Sequence, residues 1–197
     1  MVKYGIPSGR AGWYLQQLYK LYAAQVIPEL TPNFLVWDAD TFLLTPQRFF
    51  VKGTPMGRFG LGHQYHYPYF PHMAQLHPQL QRQRDDLSGI CNFMPFHAPF
   101  LEDLINWVES HHRRSRRSFW QLFLAAVNHS VMSGASEFEI YFNFMWLHHP
   151  EAVQLMDPPL RLDNFRTKVP GASELAAPQV DVVSVHWYQR GEKAHKS

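Results

Sequence analysis

The apolar positions of this chain change period several times, and each change marks an element. Between residues 13 and 26, Leu15, Leu18, Leu21, Tyr22 and Val26 recur at helical spacing, and Pro28 and Pro32 then end the helix and turn the chain. Phe34-Leu35-Val36-Trp37 follows without a polar interruption. Such a run reads as a strand covered on both faces, as inside a parallel sheet. It leads directly into Asp38 and Asp40, and a second apolar run, Phe42-Leu43-Leu44, precedes Pro46. Residues 53–100 are rich in Gly, Pro and His and show no clean period, which predicts a long loop. The aromatic residues there (Phe59, Tyr65, Tyr67, Tyr69, Phe70) predict that it is ordered and offers a binding surface. Residues 100–111 read as an amphipathic helix, 119–131 as a second and 136–148 as a third. Short strands are predicted near 49–51, 90–94 and 180–186. The first dozen residues read as irregular, and the polar tail from 190 as frayed.

Helix, turn, strand and further helices in this order make the fold class α/β, and 197 residues fit one domain with a sizeable core. The chain is 46% hydrophobic and 15% aromatic, which excludes a disordered class. A net charge of +2 gives no electrostatic case for nucleic acid. The single Cys91 excludes an intrachain disulfide and a cysteine-based zinc site. No apolar run is long enough for a membrane span, and the start lacks the basic-then-apolar layout of a signal peptide. A cytoplasmic location is therefore expected.

The chemistry concentrates at four places. Ligands in open α/β sheets bind beyond the carboxyl ends of strands, where Asp38 and Asp40 fall. Two carboxylates one residue apart suit magnesium or manganese, although an Asx turn closing the strand gives the same pattern. Ser136 with Glu139 three residues on forms a capping box, which leaves Glu137 as the carboxylate for base chemistry; Gly134 just before it would permit close approach of a substrate. His186 leaves the late strand pattern 180–185 and is placed either as a metal ligand or as an edge histidine. Lys20, with Arg10 and Lys3, would neutralise a diphosphate or simply solvate a helix face. The basic cluster Arg113, Arg114, Arg116 and Arg117 reads as a solvated loop.

These residues resemble a known group of enzymes. The strand ending in Asp38-Ala39-Asp40, the acidic helix start and the late histidine look like a glycosyltransferase of the GT-A type. The chain is closer still to a glycosyltransferase-like family classed as a domain of unknown function. That likeness runs through Gly12 to Leu21, Phe34 to Leu44, His66-Tyr67-Pro68-Tyr69-Phe70, Asn92-Phe93-Met94-Pro95-Phe96 and Ser136 to Tyr141. The resemblance implies a three-layer mixed sheet with flanking helices and a metal-dependent transfer of a sugar from a nucleotide-diphosphate donor to a carbohydrate or other hydroxyl acceptor. It places Mn2+ or Mg2+ on Asp38, Asp40 and His186, and a catalytic carboxylate at Glu137 or Glu139. Gln17, Lys20, His66, Tyr67 and Asn92 become expected substrate-binding residues. GT-A domains carry a βαβ unit ahead of the strand that bears Asp-x-Asp. Only 37 residues precede Asp38, so the expectation is a single domain over 1–197, short at its N-terminus.

Two other readings share the pattern. Haloacid-dehalogenase-like phosphatases also place Asp-x-Asp after an apolar strand, with Asp85-Asp86 as an imitation of their later metal motif. Those enzymes want Thr or Val two residues past the second Asp, where this chain has Phe42. A catalytically inactive, glycosyltransferase-like binding module would keep the core and lose donor binding.

Overall fold

The computed structural model describes residues 2–60, 62–164 and 167–186. The polar tail lies outside the described residues, as do Trp187 and Tyr188. In chain order the elements are α1 (Ser8–Leu21), α2 (Ala23–Val26), β1 (Asn33–Trp37), β2 (Thr41–Leu43), β3 (Gly57–Phe59), α3 (Tyr69–Leu76) and β4 (Phe93–His97). They continue with α4 (Ala98–His111), α5 (Phe119–Ala125), α6 (Glu137–His148), β5 (Val153–Leu155), β6 (Leu162–Asp163), α7 (Ala172–Ala176) and β7 (Val182–Ser184). The chain is thus a mixed α/β protein. Among the described residues no helix is long and apolar enough to cross a membrane.

Among the described residues the strands do not join into one mixed sheet. They form a β1–β4 pair, a three-stranded β2–β7–β6 sheet and a β3–β5 pair. The expectation that β1 lies in a parallel sheet is corrected: it pairs antiparallel with β4, Phe34 opposite Phe96 and Trp37 opposite Phe93. Its unbroken apolar run has a different cause. Phe34 and Val36 pack on the main core, whereas Leu35 and Trp37 pack on a second cluster with Phe93, Met156 and Val182. Trp37 stacks on Phe93 at 4.9 Å between centroids. Both faces are covered, and apolar runs report coverage rather than strand direction.

The main core is built around α6. Residues Glu137 through Met145 are all buried, so the helix is enclosed rather than amphipathic. It packs against α1 and α4, and its Phe138 and Tyr141 rings meet Phe96 of β4. The Tyr141 hydroxyl accepts a hydrogen bond from the His97 amide at 3.1 Å. Gly89 lets the loop before β4 lie on this helix: a Cβ there would sit 2.7 Å from the Phe138 carbonyl oxygen.

Helix α3 lies inside the segment expected to be loop. Pro68 and Pro71 hide it in the sequence, yet a proline in the first turn costs no intrahelical bond. Its Met73 and Leu76 are fully buried. The second predicted helix stops early, at Ala125. Asn128 then forms an Asx turn, its Oδ1 accepting from the Ser130 amide and hydroxyl at 2.9 and 2.7 Å. The strand predicted near 49–51 is reduced to one bridge, Phe50 with Gly57.

Candidate functional site

The turn between β1 and β2 presents the two aspartates. It is held by backbone bonds from Asp38 N to Asn92 O (2.9 Å), Thr41 N to Asp38 O (3.0 Å) and Val185 N to Asp40 O (2.9 Å). Thr41 and Ser184 face each other across the β2–β7 pair with their hydroxyls 2.8 Å apart. This register carries the chain beyond β7 alongside Asp40, so that His186 Nδ1 lies 2.9 Å from Asp40 Oδ2. On the other side, Lys20 of α1 bridges two carboxylates. Its Nζ donates to Asp38 Oδ1 at 2.8 Å and to Glu137 Oε1 at 2.6 Å. The same ammonium lies 4.3 Å from the centre of the Phe138 ring.

These side chains open into a cleft of about 540 Å³, which Trp13, Gln16, Tyr69 and Cys91 also line. Trp13, Gln16 and Lys20 are three and four residues apart, one face of α1. The adjoining face, with Tyr14, Gln17, Leu18 and Leu21, is buried.

Burial controls the electrostatics of the cleft. It raises the Asp38 carboxyl above its ordinary range, outweighing the attraction of Lys20, and Asp40 adds to the rise. Glu137 is raised for the same reason, with Lys20 again pulling the other way. For Lys20, burial favours the neutral amine, but Glu137 and Asp38 together overcome it and the group ends above its usual value. One ammonium thus serves two carboxylates and compensates neither fully. Tyr69 is pushed up to about 12, by burial first and then by Glu137 and Glu139. The Cys91 thiol donates to the Phe93 carbonyl at 2.9 Å and is raised by burial, so it is a neutral lining group and not a nucleophile.

Asp38, Asp40, His186, Lys20 and Glu137 therefore share one cleft, and other expected site residues do not line it. Gln17 is buried under the site, its Oε1 accepting from the Glu137 amide at 3.1 Å and its Nε2 donating to the Ala135 carbonyl at 3.3 Å. It holds the start of α6, while Gln16 takes the cleft-facing position. Glu139 is fully buried and turned away, accepting from Ser88 Oγ at 3.1 Å and Asn143 Nδ2 at 3.3 Å. Its side chain is committed to these partners, and Ser136 Oγ caps the helix by accepting from the Glu139 amide at 3.2 Å. Asn92 acts from behind the turn, donating to Ser184 Oγ at 2.6 Å and Asn164 Oδ1 at 2.7 Å. His66 is bonded to the Ser133 carbonyl at 2.9 Å, and Tyr67 points into a separate surface groove. Gly134 gives close approach to the Tyr14 hydroxyl, 3.3 Å from its amide, rather than to a substrate. Asp85 and Asp86 lie outside the cleft, and Asp86 pairs with Arg84.

Of the other lining residues, Tyr69 belongs to the aromatic segment expected to offer a binding surface, whereas Trp13 was not singled out from the sequence. Trp13 was accessible from the helical spacing to Lys20, and the prolines around α3 hid the helix that positions Tyr69. The oxygens of Asp38 and Asp40 with the His186 imidazole suit a hard divalent cation in chemistry. As described, the carboxylates turn toward Lys20 and His186, and among the described residues no three His, Cys, Asp or Glu side chains surround a common cation position. No protein-family model, curated protein or solved structure matches the chain.

Proposed function

We propose that the cleft is the donor site of a metal-dependent glycosyltransferase of the GT-A type, moving a sugar from a nucleotide-diphosphate donor to a hydroxyl acceptor. The observation that carries this reading is the meeting of Asp38, Asp40, His186, Lys20 and Glu137 from four separate segments of chain in one cleft. Its volume suits a small-molecule ligand. Asp38 and Asp40, with His186, would hold manganese or magnesium, which when bound supplies positive charge opposite the departing diphosphate. Lys20 is the residue to meet the phosphate oxygens. Moving the ammonium from Glu137 to the donor would free that carboxylate. A carboxylate raised by burial is a stronger base than an exposed one, which suits it to take the proton of an acceptor hydroxyl. Trp13 and Tyr69 offer aromatic faces against which a base or sugar ring can stack.

The test is ligand-induced stabilisation. Binding to the native state raises the melting temperature by mass action. Nucleotide sugars screened with manganese should raise the Tm of the wild type, and Asp38→Ala/Asp40→Ala should lose the metal-dependent part. An equal rise in that double variant would contradict the reading, and no response to any donor would favour the inactive binding module.

A further inference from the structure

A second cavity, of about 510 Å³, lies away from the cleft, between the chain around residues 47–58 and the segment 156–161. Three arginines line it: Arg48, Arg58 and Arg161. Their situations differ. Arg161 is committed to Asp181, with Nε to Oδ2 at 3.0 Å and Nη2 to Oδ1 at 2.9 Å, and donates from Nη1 to the Gln179 carbonyl at 2.8 Å. Arg48 and Arg58 make no side-chain hydrogen bond or ion pair among the described residues. The Arg58 Nε is buried, with no acceptor among the described residues.

The backbone sets these two side by side. Residues 49–58 fold back on themselves, with Val51 N donating to Met56 O at 3.0 Å and Arg58 N to Phe49 O at 2.8 Å. Arg48 is thereby next to the residue that pairs with Arg58. Strand alternation in β3 buries Gly57 and Phe59 and turns Arg58 to the opposite face, toward the cavity. A guanidinium presents its terminal donors as a planar fork matched to an oxyanion. The acidic groups on the cavity are Asp181, held by Arg161 and Thr45, and the exposed Asp157. Neither lies within ion-pair distance of Arg48 or Arg58. Two unpaired cations facing one exposed carboxylate leave the cavity with net positive charge.

We infer that this cavity is a binding site for a phosphate or sulfate oxyanion, free or as the anionic group of a small molecule, anchored by Arg58 and Arg48. This site is independent of the cleft and of the reaction assigned to it. Arg58 supplies the donors of its terminal nitrogens, and the exposed Arg48 adds a second guanidinium on the same cavity.

The experiment is thermal denaturation in inorganic phosphate, sulfate and phenyl phosphate, each replacing chloride at constant ionic strength. The expected result is a saturable rise in Tm for the wild type at millimolar concentrations. Arg58→Lys, which keeps the charge and loses the fork, should weaken the apparent affinity at least about fivefold. The exposed Arg48→Gln should do likewise without loss of the fold. Arg114→Gln, which removes an exposed charge that lines neither this cavity nor the cleft, should keep the response. Saturation by phenyl phosphate at lower concentration than by phosphate would identify a monoester as the ligand class; the reverse order would identify the free ion. A non-saturating rise shared by all variants would be general salt stabilisation and would overturn the site, as would an undiminished response in Arg58→Lys and Arg48→Gln.

Discussion

At the scale of single residues, Lys20 is the pivot of the cleft because it is shared between Asp38 and Glu137. Both carboxylates are raised mainly by burial. A carboxyl raised in the folded state contributes stability that is fully present below its unfolded pKa of about 4 and is lost as pH rises through the folded value. Asp38→Asn removes that loss while Lys20 keeps Glu137. Its Tm should therefore exceed the wild type at pH 7, by on the order of 2–4 °C for each kcal/mol regained in a chain of this length. The gap should close toward pH 4. Melting curves of both proteins across this range check it, and a variant less stable at pH 7 would show that the Asp38–Lys20 pair is net stabilising. The two glutamates separate by readout. Glu137→Gln should lower turnover by about 10²–10⁴-fold, the usual worth of a general base, whereas Glu139→Gln should leave it nearly unchanged because its side chain faces Ser88 and Asn143. Steady-state rates of the two variants decide between them, and the reverse pattern would exchange their roles.

At the scale of elements, α3 is joined to α5 by His72, whose Nε2 bonds to the Phe123 carbonyl at 2.9 Å while its Nδ1 is buried without a partner. Burial lowers this histidine to about 4. A histidine lowered in the fold contributes stability present above its unfolded pKa near 6.5 and lost as pH falls toward the folded value. From pH 7 to pH 5 the loss should be about 2 kcal/mol. His72→Gln keeps an amide donor for Phe123 and does not titrate, so urea unfolding of the variant should show a smaller drop over the same interval; parallel curves would place the acid sensitivity elsewhere. The elements also show what a sequence can reveal. The apolar run of β1 was legible because both its faces are packed. Its antiparallel partner was not, since coverage carries no information on direction. Gln17 and Gln16 differ by one position, about 100° around a helix, and only the burial of Tyr14, Leu18 and Leu21 decides which faces the cleft. The Ser136 cap was legible from its spacing to Glu139, yet the carboxylate of Glu139 found better partners in Ser88 and Asn143.

At the scale of the whole molecule, the cleft depends on contacts distant in sequence. His186 reaches Asp40 across 146 positions, and Lys20 reaches Glu137 across 117. The residue types at these places suggested a shared site, but their meeting follows from the β2–β7 register and the packing of α1 on α6, which local pattern does not encode. The central claim is that this assembled cleft transfers sugars. The most direct measurement is manganese-dependent release of nucleoside diphosphate from a panel of nucleotide sugars with a hydroxyl acceptor, run beside a generic phosphatase substrate. The account predicts release that requires metal and acceptor, with at least about a hundredfold loss in Asp38→Ala and Asp40→Ala. Hydrolysis of the phosphatase substrate alone, abolished in Asp38→Asn, would contradict it.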